Sequence, residues 1–552
     1  MKHSIGPEKR VSSRLSGMSL KAVCAVFLVT LSFFSYGQSP EIREALRLIN
    51  SEQPAKGMAV LEKLGESDYY RGLGYIKTGK KDKALEVFQK AFAESEKDGL
   101  AIAGIGHVKM LDKNVSEAKV NFDRALQVSK NKNPEVMKAV ARGYMTDSKF
   151  VVDAINLLNK ARSLNSADPQ IHLLLGDAYL MQNNGGESVS SYERAASADP
   201  KLAIAFYKVA KVYQRSKNEE MVMENLNKAI KANPEFAPAY QELAQSYYLD
   251  KKSEQAVQAQ EKYLSLTETN KDEAKYQLAF YYFLARQFEK SNAIFKDVLS
   301  SPNAPAVAYK YAGLASAEQS KDDTAKQSAL ATKELFDKYF EKADSQKVAA
   351  IDYAYYGNTL LKLGEDSLAT VAFSQGLELD SAQADILQIL GDTYLKSRKF
   401  DKAVDAYKRL IAIRSQPLSQ DLWSIGRAYY YNEQFMEADT AFTQLAERQP
   451  TVIHGFLWAA KSRAQVDSTG SQGIAIPMYE KFIEIAEKSP EKNKRELIDA
   501  YDYLGRYTLN IKDNVMQAKT YYDKILQLDP SHPTAQEFMK ILKQGAQQQK
   551  GK

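Results

Sequence analysis

A short motif that recurs at a near-constant interval places the strongest constraint on how this chain can fold. The string LGDAYL (175–180) returns as LGDTYL (390–395) and, less closely, as LGRYTL (504–509). Equivalent marker positions follow one another at gaps that are mostly 34 to 36 residues, with two gaps longer by about ten residues. The thirteen markers are Gly72, Gly106, Arg142, Gly176, Ala210, Ala244, Ala279, Gly313, Gly357, Gly391, Gly426, Ala460 and Gly505. A fixed period of this length indicates a repeat protein.

Each unit carries the apolar pattern of two helices. Apolar residues recur at spacings of three and four on both sides of the marker, which is the stripe of an amphipathic helix. Around Gly391 they are Leu387, Leu390, Tyr394, Ala403, Tyr407 and Leu410. Turn-forming strings such as KTGKKD (77–82) separate the stripes, and Asp-Pro or Asn-Pro pairs end the second one, since the residue before proline disfavours helical geometry. One helix pair cannot bury both its faces, so neighbouring pairs must stack.

The residue order within a unit strongly resembles the tetratricopeptide repeat (TPR) family. A small residue is followed by tyrosine, then by Ala-x3-Phe-x2-Ala and a proline, and this resemblance covers about 68–543. The chain departs from the family at the fourth position of a unit, where the usual tryptophan is replaced by residues such as His172 and Phe206. The resemblance implies an all-α superhelical solenoid of about 13 antiparallel helix pairs, whose first helices line a concave groove for extended peptides or partner helices.

The pattern divides the chain into an N-terminal signal segment, a cap, the repeats and a tail. Two insertions lengthen the period, and we expect any break in the stack of helix pairs to lie at one of them. The predicted segments are a signal peptide at 1–37, capping helices at 38–67, the solenoid at 68–543 with breaks near 332–348 and 464–475, and a polar tail at 544–552.

The N-terminus has the layout of an export signal. Five basic residues and one acid precede the apolar run AVCAVFLVTLSFF (22–34), and small residues then suit cleavage after Gly37. The run is shorter than the ~20 residues of a membrane-spanning helix, so we expect no stable membrane insertion after cleavage. Met18 is an alternative start. We expect the periplasm of a Gram-negative bacterium, with outer-membrane association or secretion as alternatives.

Charge and motifs give no sign of nucleic-acid binding or catalysis. Residues 1–37 contribute +4 of the formal net charge of +6, which leaves the remainder nearly neutral. The string GYIKTGKK (74–81) imitates a phosphate-binding loop, but it lacks the Ser or Thr that binds magnesium, and no strand precedes it. Cys24, the single cysteine, lies inside the apolar run, and the histidines have no partners at metal-ligand spacing. We therefore predict no enzyme, catalytic residue, metal or cofactor.

The predicted function is protein binding. In the family register the groove-facing positions are held by Tyr207, Lys211, Gln245, Tyr248, Tyr276, Phe280, Phe283, Trp423, Arg427 and Tyr430. Tyrosine, tryptophan and arginine supply much of the binding energy of protein interfaces, although neighbouring helices or a second copy are an alternative cover for these side chains. The favoured hypothesis is an adaptor or assembly factor of a cell-envelope complex. The alternatives are a periplasmic chaperone-like binder of extended chains and an enzyme with an unrecognised site. The sequence leaves the oligomeric state open.

Overall fold

Helices account for the regular structure of the residues that the structure describes. The computed structural model describes residues 39–65, 68–320, 326–414 and 416–550, and no strand occurs within these ranges. The chain separates into two compact units, unit 1 up to Pro302 and unit 2 from Asn303. The all-α prediction is confirmed, while the segment predicted as a signal peptide lies outside the described residues.

The described part of unit 1 is a helical hairpin followed by seven helix pairs. Within each pair the two helices pack antiparallel, and the second helix contacts the first helix of the next pair. The helices are α1 (Pro40–Asn50), α2 (Pro54–Lys63), α3 (Asp68–Lys77), α4 (Lys81–Glu94), α5 (Gly99–Leu111), α6 (Val115–Val128), α7 (Pro134–Tyr144), α8 (Val151–Leu164), α9 (Pro169–Met181), α10 (Gly185–Ala198), α11 (Ala203–Arg215), α12 (Glu219–Ala232), α13 (Ala237–Leu249), α14 (Ser253–Leu266), α15 (Lys271–Leu284) and α16 (Phe288–Val298).

Within the residues described, unit 2 has six pairs and a final helix. Together with unit 1 this gives thirteen pairs, in agreement with the thirteen sequence markers. The helices are α17 (Ala306–Gln319), α18 (Lys326–Lys342), α19 (Ala350–Leu363), α20 (Asp366–Leu379), α21 (Ala384–Lys396), α22 (Phe400–Ile413), α23 (Ser419–Tyr431), α24 (Phe435–Arg448), α25 (Ile453–Val466), α26 (Ile476–Ala486), α27 (Lys494–Asn510), α28 (Val515–Leu528) and α29 (Pro533–Lys550).

The two insertions and the C-terminal segment have defined local structure. The end of α18 and a 3-10 turn at Ser345–Lys347 occupy the first insertion. In the second, Asp467 accepts hydrogen bonds from the backbone N–H groups of Gln472 and Gly473 and so closes a loop after α25. Helix α29 includes residues 544–550 of the segment predicted as a polar tail.

Short polar side chains set the helix boundaries within a repeat. Asp168 caps α9 by accepting from the N–H of Gln170, and Asn184 caps α10 by accepting from the N–H of Glu187. Such caps satisfy backbone donors that have no partner inside the helix. The turn before α10 needs a left-handed residue, which Asn183 provides with φ 58°. The string QNNGG (182–186) between the two helices is therefore a tight, capped turn.

The recurring LGD string is explained by one packing arrangement that appears in both units. A Cβ on Gly176 would lie 2.3 Å from the ring of Tyr192, and a Cβ on Gly391 would lie 2.6 Å from the ring of Tyr407, so only glycine fits at either position. The aspartate that follows each glycine accepts a hydrogen bond from the same tyrosine hydroxyl. These bonds are Tyr192 to Asp177 at 2.6 Å and Tyr407 to Asp392 at 2.5 Å. The motif thus fixes the ring and the hydroxyl of one tyrosine together.

First helices form the inner layer of each unit. In unit 1 α3 contacts α5, α5 contacts α7 and α7 contacts α9, and in unit 2 α17 contacts α19. We call the layer of first helices in each unit its inner layer. The side chains predicted to face a groove are on this layer.

A buried histidine makes the stability of unit 1 sensitive to acid. Burial, with a smaller contribution from the Arg142 cation, lowers the pKa of His107 from 6.5 to about 4. Between these values the unfolded chain binds a proton that the folded chain does not, so the free energy of unfolding falls as the pH falls.

We expect His107 to cost unit 1 about 2 kcal/mol between pH 7 and pH 5. Urea unfolding of the wild type and of His107→Phe at both pH values measures this contribution, because the variant lacks the titrating group. The wild type should lose more stability on acidification than the variant. Equal losses in the two proteins would contradict the assignment.

Candidate functional site

The predicted groove residues of unit 1 lie on three neighbouring first helices. Tyr207 and Lys211 are on α11, Gln245 and Tyr248 are on α13, and the aromatic residues at 276, 280 and 283 are on α15. Most of these side chains are partly buried, while Gln245 is exposed. The inner layer of unit 1 therefore presents them as one continuous strip.

A carboxylate between α11 and α13 engages several of these groups. Glu242 accepts from Lys211 at 2.8 Å, from Gln214 at 3.0 Å and from the Tyr207 hydroxyl at 3.4 Å. Burial, followed by the charge of Glu242, raises the pKa of Tyr207 well above its usual value. Because Glu242 pairs with Lys211, the charge of Lys211 is partly neutralised. Because its pKa is raised, the hydroxyl of Tyr207 stays protonated.

The remaining predicted aromatics of unit 1 pack against one another and against second helices. Tyr248 has its ring centroid 5.6 Å from that of Phe280, and the Tyr276 ring centroid lies 6.3 Å from that of Phe295 on α16. Phe283 similarly lies 6.0 Å from Phe288. Neighbouring helices therefore cover part of this strip, which is the alternative that the sequence left open.

A buried ionic network in unit 1 was not predicted. Lys138 on α7 is fully buried and forms ion pairs with Glu135 at 2.7 Å and with Asp168, the cap of α9. Glu135 also accepts from the Tyr70 hydroxyl of α3 at 2.5 Å. The sequence does place Lys138 among apolar residues, but only the fold brings the two acids to it. The network joins three first helices of the inner layer.

The predicted site residues of unit 2 belong to an aromatic cluster on α23 and α25. The Trp423 ring lies 5.8 Å from that of Trp458 in an edge-to-face arrangement and 5.6 Å from the exposed His454 ring. Tyr430 packs 5.1 Å from Trp458 and 5.7 Å from Tyr431. We call Trp423, Tyr430, Tyr431, His454 and Trp458 the tryptophan cluster. Its two tryptophans are half-buried, so the cluster is held in place and still presents aromatic surface.

Cations border the tryptophan cluster. The guanidinium of Arg427 lies 5.7 Å from the Trp423 ring centroid, and the ammonium of Lys461 lies 5.8 Å from that of Trp458. Cations over tryptophan faces are attracted by the ring quadrupole. The arrangement combines apolar surface with positive charge, which suits contacts to aromatic or aliphatic side chains beside an acidic group.

An open cavity of about 720 Å³ lies on the inner layer of unit 2 between α17, α19 and α21. Its lining is mainly apolar and includes Ile351, Leu361 and Ile389, and Ile351 is 48% exposed. Ala354 and Asn358 also line it. The cavity offers apolar contacts.

In the described ranges, no group of three or more His, Cys, Asp or Glu residues is arranged to hold a metal ion. None of the described helices combines the length and the apolar character needed to cross a bilayer.

The fold and its inner layer define a class of helical repeat proteins built from stacked antiparallel pairs. Family models described as tetratricopeptide repeats match residues 152–203, 237–270 and 386–421, which lie in both units. The chain therefore contains tetratricopeptide repeats in both units.

Several known proteins are similar to parts of this chain. Tetratricopeptide repeat protein 21B of Xenopus laevis is 28% identical over 149 residues, which are 27% of this chain and only 11% of that protein's length. The C-terminal part of a TPR repeat-containing protein from Cytophaga hutchinsonii is 26% identical, with a TM-score of 0.39, covering 48% of this chain and 98% of that one. A tetratricopeptide repeat protein from Parabacteroides merdae is 19% identical, with a TM-score of 0.29, covering 47% and 98%.

Proposed function

We propose that this protein is a scaffold that binds a partner protein through the inner layer of unit 2, with the tryptophan cluster as the anchor. The observation that carries the proposal is the pair of half-buried tryptophans on α23 and α25, bordered by Arg427. Tryptophan, tyrosine and arginine are the residues whose truncation costs most at protein interfaces. A cluster that combines them on an ordered scaffold loses little conformational entropy when it binds.

The apolar cavity extends the same surface along the inner layer. It lies between α17, α19 and α21, and the tryptophan cluster begins on α23, the next first helix in the unit. A ligand that covers both must span several repeats, which favours an extended segment or a helix of another protein over a small molecule. Apolar contacts along the cavity and one aromatic anchor at its end would fix the direction of that segment.

We further propose that the protein is exported and acts as an adaptor or assembly factor of a cell-envelope complex. The signal-like sequence at 1–37 motivates the location, and the absence of a catalytic motif in the sequence motivates a non-enzymatic role. A chaperone-like binder of extended chains is the second candidate. Cross-linking in cells followed by purification separates the two, because an adaptor retains a few partners in fixed ratio and a chaperone retains a broad mixture.

Trp423→Ala is expected to lower the recovery of cross-linked partners by about thirtyfold, the loss typical of an interface hot spot. Met436→Ala is the matched control, because Met436 is 71% exposed and lies on α24, a second helix of the same unit. Circular dichroism melts verify that both variants stay folded.

Arg427→Ala provides a second test that leaves the tryptophan packing in place. It should weaken partner recovery by about tenfold, since a bordering arginine is lost without opening a cavity. Normal recovery with both folded variants would exclude the tryptophan cluster from the binding surface.

A further inference from the structure

The inner layer of unit 2 carries acidic side chains on one part and basic side chains on another. Three carboxylates, those of Glu318, Asp385 and Asp392, lie on α17 and α21. Glu318 and Asp385 line the apolar cavity, and Asp392 is exposed about two helical turns beyond Asp385 on the same face of α21. Arg427 of α23 and Lys461 of α25 border the tryptophan cluster. The charge along this layer therefore changes sign between α21 and α23.

Neutral donors bond to the carboxylates of the acidic part. Tyr355 donates its hydroxyl to Glu318 at 2.5 Å. Asp392 accepts from the Tyr407 hydroxyl at 2.5 Å and from the Gln388 amide at 3.1 Å. None of the ion pairs described in unit 2 includes one of the three carboxylates. Hydrogen bonds from neutral groups orient a carboxylate and leave its charge in place, so the acidic part can still bind a cation from outside.

Two lysines of α17 and α19 are bonded within unit 2. Lys310 of α17 pairs with the fully buried Asp352 at 2.8 Å. Lys362 of α19 lines the cavity and donates to the Ser320 carbonyl, so its charge remains beside the cavity. With −3 from the three carboxylates and +1 from Lys362, the acidic part keeps a net charge of about −2. A basic group of a partner is therefore complementary to it.

The basic part keeps its charge around the tryptophan cluster. Arg427 contacts the Trp423 ring, and no ion pair described in unit 2 includes it. Lys461 has Asp499 of α27 at 3.8 Å, a long distance for an ion pair, and Asp499 is 50% exposed. Guanidinium groups bind carboxylates through two parallel hydrogen bonds. An acidic residue of a partner can therefore contact Arg427 while an apolar residue packs on Trp423.

The acidic and basic parts are close enough to contact one segment. Leu390 of α21 and Ile425 of α23 belong to the same buried cluster, so these two helices share one core. Packed helices lie ~10 Å apart, so the three steps from α19 to α25 cover about 30 Å. An extended chain advances ~3.3 Å per residue and covers this distance in about nine residues. A single segment can therefore reach the cavity, α21 and the tryptophan cluster at once.

We propose that the partner segment carries its side chains in a fixed order. Apolar residues enter the cavity, a basic residue pairs with Asp385 or Asp392, and an acidic residue pairs with Arg427 beside the tryptophan cluster. The opposite order of charges would place like charges together on both parts, which lowers affinity. This inference rests on the proposed function and adds the charge order of the partner to it. The carboxylates of α21 are then residues that determine specificity.

Two synthetic peptides of about twelve residues test the charge order on the full chain. The matched probe carries leucines, a pair of lysines, a pair of phenylalanines and a pair of glutamates in that order, and the swapped probe exchanges the lysines with the glutamates. Each is labelled with fluorescein and made in both chain directions, and the tighter direction of each is compared. The matched probe should bind about tenfold more tightly by fluorescence anisotropy at low salt, and the difference should shrink at high salt. Equal affinities at low salt would overturn the inference.

Asp385→Asn combined with Asp392→Asn tests the acidic part itself. Asparagine keeps an oxygen that can accept from Tyr407, but it removes the charge. The double variant should bind the matched probe about tenfold less tightly than the wild type does. Glu447→Gln is the matched control, because Glu447 is exposed on α24, a second helix of the same unit, and its loss should leave the affinity unchanged. An undiminished preference for the matched probe in the double variant would overturn the assignment to α21.

Trp423→Ala separates the charge order from the proposed function. It should weaken both probes, because it removes the anchor that the two orders share. Equal affinities of the two probes for the wild type, with a loss of both in Trp423→Ala, would overturn the charge order and leave the proposed function standing. If neither probe binds, the charge order is overturned as well, and the partner recovery of Trp423→Ala and Arg427→Ala decides the proposed function independently.

Discussion

Lys138→Ala is expected to destabilise unit 1 by about 4 kcal/mol. Lys138 has no exposed surface, and its ammonium is paired with Glu135 and Asp168, which are themselves only 12% and 9% exposed. Removing the cation leaves two carboxylates close together with little access to water, and an uncompensated buried charge costs far more than a surface pair contributes. Urea unfolding followed by circular dichroism measures the loss.

The control is an ion pair of the same type on the surface of the same unit. Lys228 pairs with Glu224 along α12, and both side chains are nearly half exposed. Lys228→Ala should change the free energy of unfolding by less than about 0.5 kcal/mol. The double variant Lys138→Met with Glu135→Gln should recover part of the stability, because it removes one charge of each sign. A loss below about 1 kcal/mol for Lys138→Ala would mean that the network is hydrated and is not a structural element.

Gly391→Leu is expected to destabilise unit 2 by about 3 kcal/mol. Even a Cβ at this position would lie 2.6 Å from Cε1 and 2.7 Å from Cζ of Tyr407, and Tyr407 is fully buried with its hydroxyl bonded to Asp392. The ring cannot move away without breaking that bond, so the two helices must separate. Thermal melts and urea unfolding give the size of the effect.

The same substitution at an open glycine separates overpacking from the general effect of adding a side chain. A Cβ on Gly186 has no neighbour closer than 3.9 Å, and Gly186 is exposed in the first turn of α10. Gly186→Leu should be neutral or slightly stabilising, because leucine favours helix more than glycine does. Similar melting temperatures for Gly391→Leu and the wild type would contradict the close approach of α21 and α22.

Sequence periodicity was sufficient to predict the helix pairs, because most pairs place a small residue opposite a large one at the same position of the repeat. It did not predict the role of Asp177 and Asp392, since an aspartate after a glycine has no distinctive signal until the tyrosine fifteen residues later is brought back to it. The Lys138 network was not predicted for a similar reason. Its parts come from α3, α7 and the cap of α9, and only the stacking of the repeats brings them together.

For the candidate site, the sequence predicted the helix on which each residue lies but not the residues that it contacts. The sequence assigns Tyr207 and Lys211 to a first helix, where they are found, but it does not show that Glu242 engages both of them. Their role in binding a partner stays a prediction. Segment 38–67 was interpreted as a cap from its helical pattern alone. Its contact with Asp199 depends on the rotation between successive repeats. Small differences in this rotation add up along the stack, and no local motif encodes their sum.

The placement of the two tryptophans has a practical consequence for spectroscopy. The chain contains only Trp423 and Trp458, and both belong to one cluster in unit 2. Indole emission excited at the red edge therefore reports on that half of the molecule alone, without any introduced label. If the emission changes at a different urea concentration from the loss of helix ellipticity, the two units unfold as separate cooperative blocks. The unit that binds a ligand can then be identified from the transition that the ligand shifts.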